Sequence, residues 1–203
     1  IVGNPPYASS STNKGKWIGS LTADYKKDLK EKSYNSLSDD YVKFIRFGQY
    51  FIDKNGSGIL AYISNNSFID GITHRQMRKH LLERFDKIYI LDLHGNAKKK
   101  EVCLDGSVDQ NVFDIMQGGS INLFVKTGKK KQEDLAEDFH YDLFGKRDLK
   151  DDFLTNKSIK TIDYKELPNV APNYFFASKD FEEQKEYDAG FSVNELFTLN
   201  SVG

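Results

Sequence analysis

Ile59-Leu60-Ala61-Tyr62-Ile63 is a short, continuous run of apolar residues, and the polar residues Ser64-Asn65-Asn66-Ser67 follow it directly. A run of this length with Gly56-Ser57-Gly58 in front of it and polar residues behind it predicts a strand buried on both faces. Strands of this kind occupy parallel sheets that carry helices on both faces. We therefore expect an α/β protein built around this strand.

Two more strands and two helices are predicted on either side of this run. Ile1-Val2-Gly3 and the segment from Lys87 to Leu93 are apolar enough to be strands. Apolar residues at helical spacing begin after Asp39 or Asp40, either of which could be the N-cap, and Asn55-Gly56-Ser57-Gly58 ends that helix. A second helix is predicted from about Thr73 to Arg84. The order strand, helix, strand, helix, strand predicts a parallel sheet.

Each of these strands is followed by a polar residue: Asn4, Asn65 and His94. The carboxyl ends of parallel strands meet at one edge of a sheet, and ligands bind beyond that edge. We therefore expect these three residues to lie on a common rim, with a binding site above it.

The next predicted strand runs from Ser120 to Lys126, and no helix separates it from the strand at 87–93. Without a crossover helix the two strands are expected to pair antiparallel. After Lys131 the pattern predicts one more strand, Phe139 to Leu143, and a short helix, Lys146 to Leu154.

The segment from Ala8 to Asp40 is rich in Ser, Lys, Tyr and Asn and shows little periodicity. It is predicted to be a long loop that could fold over a substrate. Trp17, Tyr25 and Tyr34 could stack on bases there, and packing back onto the core is the alternative for each.

The loop after the first strand, Asn4-Pro5-Pro6-Tyr7, has groups suited to hold an aromatic amine. The Asn4 side chain offers one carbonyl oxygen, and Pro5 offers a backbone carbonyl whose direction the two prolines fix. Two convergent acceptors suit the two hydrogens of an amino group, and accepting both frees the nitrogen lone pair. Tyr7 offers a flat face for the ring. The alternative is that Pro-Pro simply ends the strand and Tyr7 packs on the surface.

Asn-Pro-Pro-Tyr at positions 4–7 resembles the catalytic motif of S-adenosylmethionine-dependent methyltransferases that modify amino groups, above all adenine in DNA. Over roughly residues 1 to 130 the chain is similar to the catalytic half of adenine methyltransferases in restriction-modification enzymes, of the Eco57I-like (type IIG) and type ISP groups. The wider resemblance rests on three further segments: Ile59 to Phe68, Leu91 to Asn96 and Gly119 to Lys126.

This resemblance implies a class I methyltransferase fold, of which the chain would hold a partial, Rossmann-like sheet with an antiparallel last strand. It implies methyl transfer from S-adenosylmethionine to the exocyclic amino group of an adenine flipped out of duplex DNA. Asn4 and the Pro5 carbonyl would accept from that amino group. Pro6 would fix the turn, and Tyr7 would stack on the base. Phe113 matches an aromatic that would face the base opposite Tyr7, with a core phenylalanine as the alternative.

The resemblance also implies that the chain is part of a longer protein. Residues 1–130 would form the catalytic half of the methyltransferase domain, and residues 131–203 an α+β extension whose end, 191–203, leads towards a target recognition domain. In the family the glycine-rich loop for the cofactor precedes the tetrapeptide, and no Gly-x-Gly follows a strand here. Most of the S-adenosylmethionine site is therefore expected outside this chain, which alone should be inactive. Expected partners are double-stranded DNA and the nuclease, helicase and target recognition domains of the same polypeptide.

The overall charge gives no sign of nucleic-acid binding, since 203 residues with 29% charged side chains carry a net charge of −1. The lysines nevertheless cluster. Lys98, Lys99 and Lys100 form one cluster, and Lys129 to Lys131 form another on what we expect to be a neighbouring loop. Such runs are usually solvated, and the alternative is that they grip DNA phosphates.

Other functional classes find little support. The single cysteine, Cys103, excludes an internal disulfide, and no Cys/His spacing predicts a metal site. This cysteine use fits the cytoplasm, and no apolar run is long enough to span a membrane. His74, His80 and His140 are expected at the surface. Asp180 and the acidic stretch after it resemble a nuclease motif, but a charged helix face explains them.

Two alternatives to DNA adenine methylation stay open. Asn-Pro-Pro-Tyr also occurs in methyltransferases that act on protein glutamine or on guanine in ribosomal RNA. A non-catalytic DNA-docking module is the other alternative, and it predicts that Asn4 can be replaced without loss of function.

Overall fold

The structure is a computed structural model that describes residues 1–7, 11–31, 33–103, 105–182 and 189–190. Its strands form one six-stranded sheet with the spatial order β1-β2-β4-β3-β5-β6. In chain order the strands are β1 (Val2–Gly3), β2 (Gly58–Asn65), β3 (Lys87–His94), β4 (Gly119–Lys126), β5 (Glu137–Asp142) and β6 (Lys165–Glu166).

The strand directions confirm the predicted α/β sheet. β1 pairs parallel with β2, β3 pairs parallel with β5, and β4 lies antiparallel between β2 and β3. β6 then adds antiparallel to β5. β4 is antiparallel to both of its neighbours, so β2 and β3 run in the same direction. The carboxyl ends of β1, β2, β3 and β5 therefore lie at one edge of the sheet, here called the carboxyl rim. Asn4, Asn65 and His94 lie on this rim, as predicted.

The two helices predicted between the first three strands are present as α2 and α4. α2 ends at Gly56, whose φ of +83° lies in the left-handed region that glycine adopts at helix ends. Gly48 in α2 allows a close approach to the sheet, because a Cβ there would lie 2.5 Å from the Leu60 side chain. The described helices are α1 (Lys16–Thr22), α2 (Asp40–Asn55), α3 (Ser67–Asp70), α4 (Arg75–Arg84) and α5 (Arg147–Asn156), with short 3₁₀ turns at Ala23–Lys26, Asn35–Ser38 and Ile72–His74.

The main core lies between α2, α4 and one face of the sheet, where Ile45, Leu60, Leu81 and Phe124 are fully buried. A smaller apolar cluster on the opposite face contains Leu91. α5 supplies partly buried residues to this second cluster, so helices cover both faces around β3.

The prediction that the strand at 59–63 is buried on both faces is wrong. Leu60 and Tyr62 are buried, whereas Ile59 on the opposite face is 51% exposed. Val2 in β1 is likewise 85% exposed. The reason is that β1 lies at the edge of the sheet and no described element covers its outer side or this end of β2.

The prediction of a long loop from Ala8 to Asp40 is also wrong for the described part of that segment. Besides α1 and two 3₁₀ turns, it contributes Tyr25 and Leu37 to the core, both with no exposed surface. These elements are too short for periodicity to reveal, and burial against α2 and α4 stabilises them instead. Trp17 is half-exposed and packs edge-on against Phe47.

The strand and the helix predicted after Lys131 are confirmed as β5 and α5. β5 pairs with β3 from Lys87 and Glu137 at one end to Asp92 and Asp142 at the other. The extension thus contributes a strand to the same sheet, while a domain division at residue 130 stays a prediction. The end of the chain, 191–203, lies outside the described residues.

Arg78 fixes the segment after β6 onto the core. Its guanidinium is fully buried and donates hydrogen bonds to the carbonyl oxygens of Phe68, Gly71, Asn173 and Tyr174, at 2.6–3.0 Å. Arg78 thus attaches this segment to the core, in which Phe176 is fully buried.

The three histidines expected at the surface are buried or nearly so. Tyr41 contacts the His74 Nε2 atom at 3.1 Å, Gln49 contacts the His80 Nδ1 atom at 2.9 Å, and His140 is 3% exposed. Burial lowers the pKa of His74 and of His80 to about 4, so both are neutral at physiological pH. Each histidine occupies an inward-facing position that its polarity alone did not reveal. Among the described helices, none is long and apolar enough to cross a bilayer.

Candidate active site at the carboxyl rim

The Asn-Pro-Pro-Tyr loop leaves the rim directly from β1. Gly3 lies beside Tyr62, and a Cβ at Gly3 would lie 2.9 Å from the tyrosine ring, so only glycine fits. Pro5 is buried, whereas Asn4 and Pro6 are exposed. The Asn4 amide has no hydrogen-bond partner among the described residues, which leaves its oxygen available to an incoming donor.

Tyr7 and Phe113 face each other across the rim. Their ring centroids are 6.5 Å apart and their planes are tilted by 48°. A flat ring sandwiched between two aromatic rings needs about 7 Å, because each of the two contacts takes about 3.5 Å. Stacking of a purine between them would therefore need the 48° tilt to close and the rings to separate slightly.

The Tyr7 hydroxyl is buried and has no hydrogen-bond partner in the described parts of the chain. Burial also raises the pKa of Tyr7, so the phenol is neutral. A buried hydroxyl without a partner is unfavourable by about 1–3 kcal/mol. A ligand in contact with Tyr7 could relieve that cost by supplying a hydrogen-bonding group.

The start of β4 sets the position of Phe113. The backbone N–H of Asn66 donates to the Gly118 carbonyl at 3.1 Å, and a Cβ at Gly118 would lie 2.6 Å from the Asn66 side chain. A Cβ at Gly119 would lie 3.7 Å from the Phe113 ring. The two glycines therefore let the loop before β4 lie close against the end of β2.

A polar cluster continues the rim beyond Asn66, which donates to the Asp92 carboxylate at 2.9 Å. His94 follows, with Nε2 2.7 Å from Asp142 Oδ1 and 3.8 Å from Asp92 Oδ2. The Glu101 carboxylate lies 4.0 Å from the other nitrogen of the same ring. Asp92, His94, Glu101 and Asp142 thus form a connected set of charges at the ends of β3 and β5.

The surroundings shift these pKa values strongly. Burial raises the pKa of Asp92, although His94 and the Asn66 hydrogen bond oppose that effect. Burial alone would lower the pKa of His94, but the carboxylates of Asp142, Glu101 and Asp92 raise it to about 10. His94 is therefore a cation at physiological pH, and its charge lowers the pKa of Asp142 and of Glu101 against the effect of burial.

The sequence predicted no metal site. One ligand atom each from Asp92, His94 and Asp142 lies within 4.8 Å of the others, which is close enough for a shared cation. The hydrogen bonds from His94 to Asp142 and from Asn66 to Asp92 pair these groups with one another. We assign no metal to this cluster.

The two lysine clusters do not lie on neighbouring loops. Lys98, Lys99 and Lys100 are exposed beyond β3, at the carboxyl rim. Lys129 follows β4, which runs the other way, and the adjoining Thr127 amide donates to Asp86 at the amino end of β3. Strands of eight residues place the two clusters about 26 Å apart along the sheet. Only the first cluster lies at the same edge of the sheet as Tyr7 and Phe113.

Several residues of the rim gave no functional signal in the sequence. Asp92 interrupts an apolar strand and could have been noticed, since a charge inside such a run is unusual. Asn66 and Arg147 look like ordinary polar residues. Arg147 and Lys100 line a cleft of about 710 Å³ beside the loop that carries Phe113.

Comparison with known proteins agrees with the resemblance seen in the sequence. Residues 1–98, just under half of the chain, match the family model described as Eco57I restriction-modification methylase. No curated protein sequence matches the chain.

Solved structures cover nearly the whole chain. The ATP-dependent Type ISP restriction-modification enzyme LlaBIII bound to DNA is 25% identical with a TM-score of 0.78, over 91% of this chain and 13% of LlaBIII. A nuclease-deletion mutant of the Type ISP enzyme LlaGI with a DNA substrate mimic is 26% identical with a TM-score of 0.76, over 91% of this chain and 18% of that one. The DrdV–DNA complex is 25% identical with a TM-score of 0.74, over 90% and 18%.

The chain thus spans less than a fifth of the length of these relatives. Residues 1–98 are thus similar to the Eco57I restriction-modification methylase family, and the chain as a whole is similar in structure to the methyltransferase part of Type ISP restriction-modification enzymes.

Proposed function

We propose that the protein methylates the exocyclic amino group of an adenine flipped out of duplex DNA, as the methyltransferase of a restriction-modification system. The observation that carries this proposal is the pair of rings of Tyr7 and Phe113, 6.5 Å apart, with the exposed Asn4 three residues before Tyr7 in the same loop. A flat, amino-bearing ring held between them would reach the acceptors of the tetrapeptide.

In this mechanism the chain holds the base and activates its amino group. The Asn4 side-chain oxygen and the Pro5 carbonyl each accept one amino hydrogen, and Pro6 fixes the direction of the second acceptor. Accepting both hydrogens favours a tetrahedral nitrogen with an available lone pair. Tyr7 and Phe113 hold the ring plane by stacking, worth about 1–3 kcal/mol per base. No covalent intermediate with the protein is needed.

S-adenosylmethionine supplies the methyl group in this proposal. The described residues contain the acceptor side of such a site but no strand that runs through a glycine-rich loop into a helix, the usual cradle of the cofactor. We therefore propose that most of the cofactor site lies outside this chain, and that the chain alone is inactive.

Duplex DNA is the substrate that the comparisons favour over glutamine or ribosomal RNA, because the similar structures named above are complexes with DNA or a DNA mimic. Lys98, Lys99 and Lys100 at the rim would contact DNA phosphates. Lys129 lies at the opposite edge of the sheet and would contact phosphates only in a different part of the duplex. Nuclease, helicase and target recognition domains of the same polypeptide, and a cytoplasmic location, belong to the same proposal.

The test is transfer of labelled methyl from S-adenosylmethionine to adenine-containing DNA by the full-length protein. An Asn4→Ala variant should lose nearly all transfer while its melting temperature stays within a few degrees. Asn156→Ala, at the exposed end of α5 and remote from the rim, is the matched control and should keep full activity. Label in protein or RNA would favour the glutamine or ribosomal RNA alternative, and full activity of Asn4→Ala would favour a docking module.

Stacking by Tyr7 can be tested separately in the same assay. Tyr7→Phe keeps the ring and should retain activity within a few-fold, whereas Tyr7→Ala should reduce single-turnover transfer roughly 5- to 150-fold. Equal losses in both variants would show that the hydroxyl, not the ring, is what matters.

A further inference from the structure

Phe113 lies in an irregular loop, so something other than a helix or strand must hold it. The Asn111 side chain does part of this: its oxygen accepts from the Phe113 amide at 2.9 Å. Its nitrogen donates to the carbonyls of Gly95, Ile115 and Gln117, at 3.0, 3.1 and 2.7 Å. One amide therefore shapes the backbone on both sides of Phe113 and ties it to the end of β3.

Arg147, the first residue of α5, holds the same loop from outside. Its Nε donates to the Asn111 carbonyl at 2.8 Å, and a terminal nitrogen donates to the Phe113 carbonyl at 3.3 Å. That terminal nitrogen also pairs with Asp114 at 2.8 Å. The planar, forked guanidinium can bond several acceptors at once, which a lysine ammonium on a flexible stem does less well.

The helix that carries Arg147 is itself fixed to the rim. Lys150, one turn further along α5, is fully buried and donates to Asp109, to the Leu93 carbonyl at 2.7 Å and to the Gln110 carbonyl at 2.8 Å. Asp109 also accepts from the amide of Gly145 at 2.7 Å. Arg147 thus reaches the Phe113 loop from a rigid base.

We infer that Arg147 is a positioning residue for the target base, and that it acts by holding Phe113 opposite Tyr7. This inference rests on the proposed function. It places part of the base site in α5, beyond residues 1–98 that match the family model.

The test uses the full-length protein and two DNA substrates. DNA with adenine at the target position is used for methyl transfer, and DNA with 2-aminopurine there, which lacks the 6-amino group, is used only for fluorescence. Arg147→Ala should reduce single-turnover methyl transfer about tenfold, because charge-assisted hydrogen bonds that hold the loop are lost. It should also raise 2-aminopurine fluorescence in the complex, since a poorly stacked base is less quenched, with DNA affinity changed less than threefold. Arg147→Lys should show an intermediate loss. Arg84→Ala, at the exposed end of α4, is the matched control.

A double variant separates positioning from a general structural role. If Arg147 acts through Phe113, Arg147→Ala combined with Phe113→Ala should lose no more activity than Phe113→Ala alone. Amide hydrogen exchange of residues 111–117 should rise in Arg147→Ala and stay unchanged in Arg84→Ala.

The positioning role is overturned if the losses of the double variant multiply, or if exchange in 111–117 does not rise. A wild-type protein that methylates no adenine would instead overturn the proposed function, and it would do so in every variant alike. The two failures are therefore distinguishable.

Discussion

Gly3 illustrates how single contacts set the geometry of the rim. Its missing side chain lets β1 lie against the Tyr62 ring, and the next residue along the chain is Asn4. A change here would move the tetrapeptide before it affected the rest of the fold, because only two residues of β1 are paired.

We expect Gly3→Ala to destabilise the protein by about 1–3 kcal/mol, as overpacking does, and to reduce methyl transfer further than the stability loss explains. Gly19→Ala is the control, since nothing lies within 4 Å of a Cβ there and alanine favours the α1 helix. Thermal unfolding and single-turnover transfer measure the two effects. Equal behaviour of both variants would show that the Tyr62 contact is unimportant.

His94 should make the stability of the protein depend on pH. Its pKa is raised from 6.5 to about 10 in the fold, so its contribution is complete below about pH 6.5 and is lost as the pH rises towards 10. Urea unfolding between pH 6 and pH 10 should show this decline in the wild type and less of it in His94→Gln. His74→Gln is the control, since His74 is neutral across that range. An equal pH slope in wild type and His94→Gln would contradict the assignment.

At the scale of secondary-structure elements, the attachment of α5 to the end of β3 supports the loops above the carboxyl rim. The ion pair between Lys150 and Asp109 is fully buried and receives the amides of Gly95 and Gly145 as further donors. Breaking such a pair leaves one charge buried without its partner, which is far more costly than losing a surface ion pair.

We therefore expect Lys150→Met and Asp109→Asn each to lower the free energy of unfolding by about 3–5 kcal/mol. Lys157→Met, at the exposed end of α5, should change it by less than about 0.5 kcal/mol. Chemical denaturation of the three variants gives these values directly. A small effect of both buried substitutions would mean that water reaches the pair.

At the scale of the whole molecule, one sheet joins residues 1–130 to the residues that follow them. β5 pairs with β3 along its whole length, and Arg78 binds the segment near residue 174 to the core. Elements that share a sheet and a core usually unfold together.

We expect one cooperative unfolding transition for the chain. Fluorescence of Trp17, which lies in α1, and hydrogen exchange of the β5 amides should report the same free energy, in the wild type and in Asp109→Asn. Exchange in β5 at a clearly lower free energy would contradict this and would support a domain division near residue 130.

The sequence alone determined the strands at 87–93 and 120–126, the helices that became α2 and α4, and the position of Asn4 at the end of a strand. These features follow from local patterns, since apolar spacing, N-caps and glycines act over only a few residues. The tetrapeptide could be singled out for the same reason, because the chemistry proposed for it lies in four adjacent residues.

Only the tertiary structure decided which distant residues meet. Tyr7 faces Phe113 because β4 is inserted between β2 and β3, and no local pattern encodes that order. The reversed direction of β4 also separates Lys129 from Lys98, although the sequence predicts that the two lysine clusters lie on neighbouring loops. Burial of the histidines, the charges around His94 and the contact from Arg147 to the Phe113 loop depend in the same way on long-range packing, which fixes strand register and helix position together.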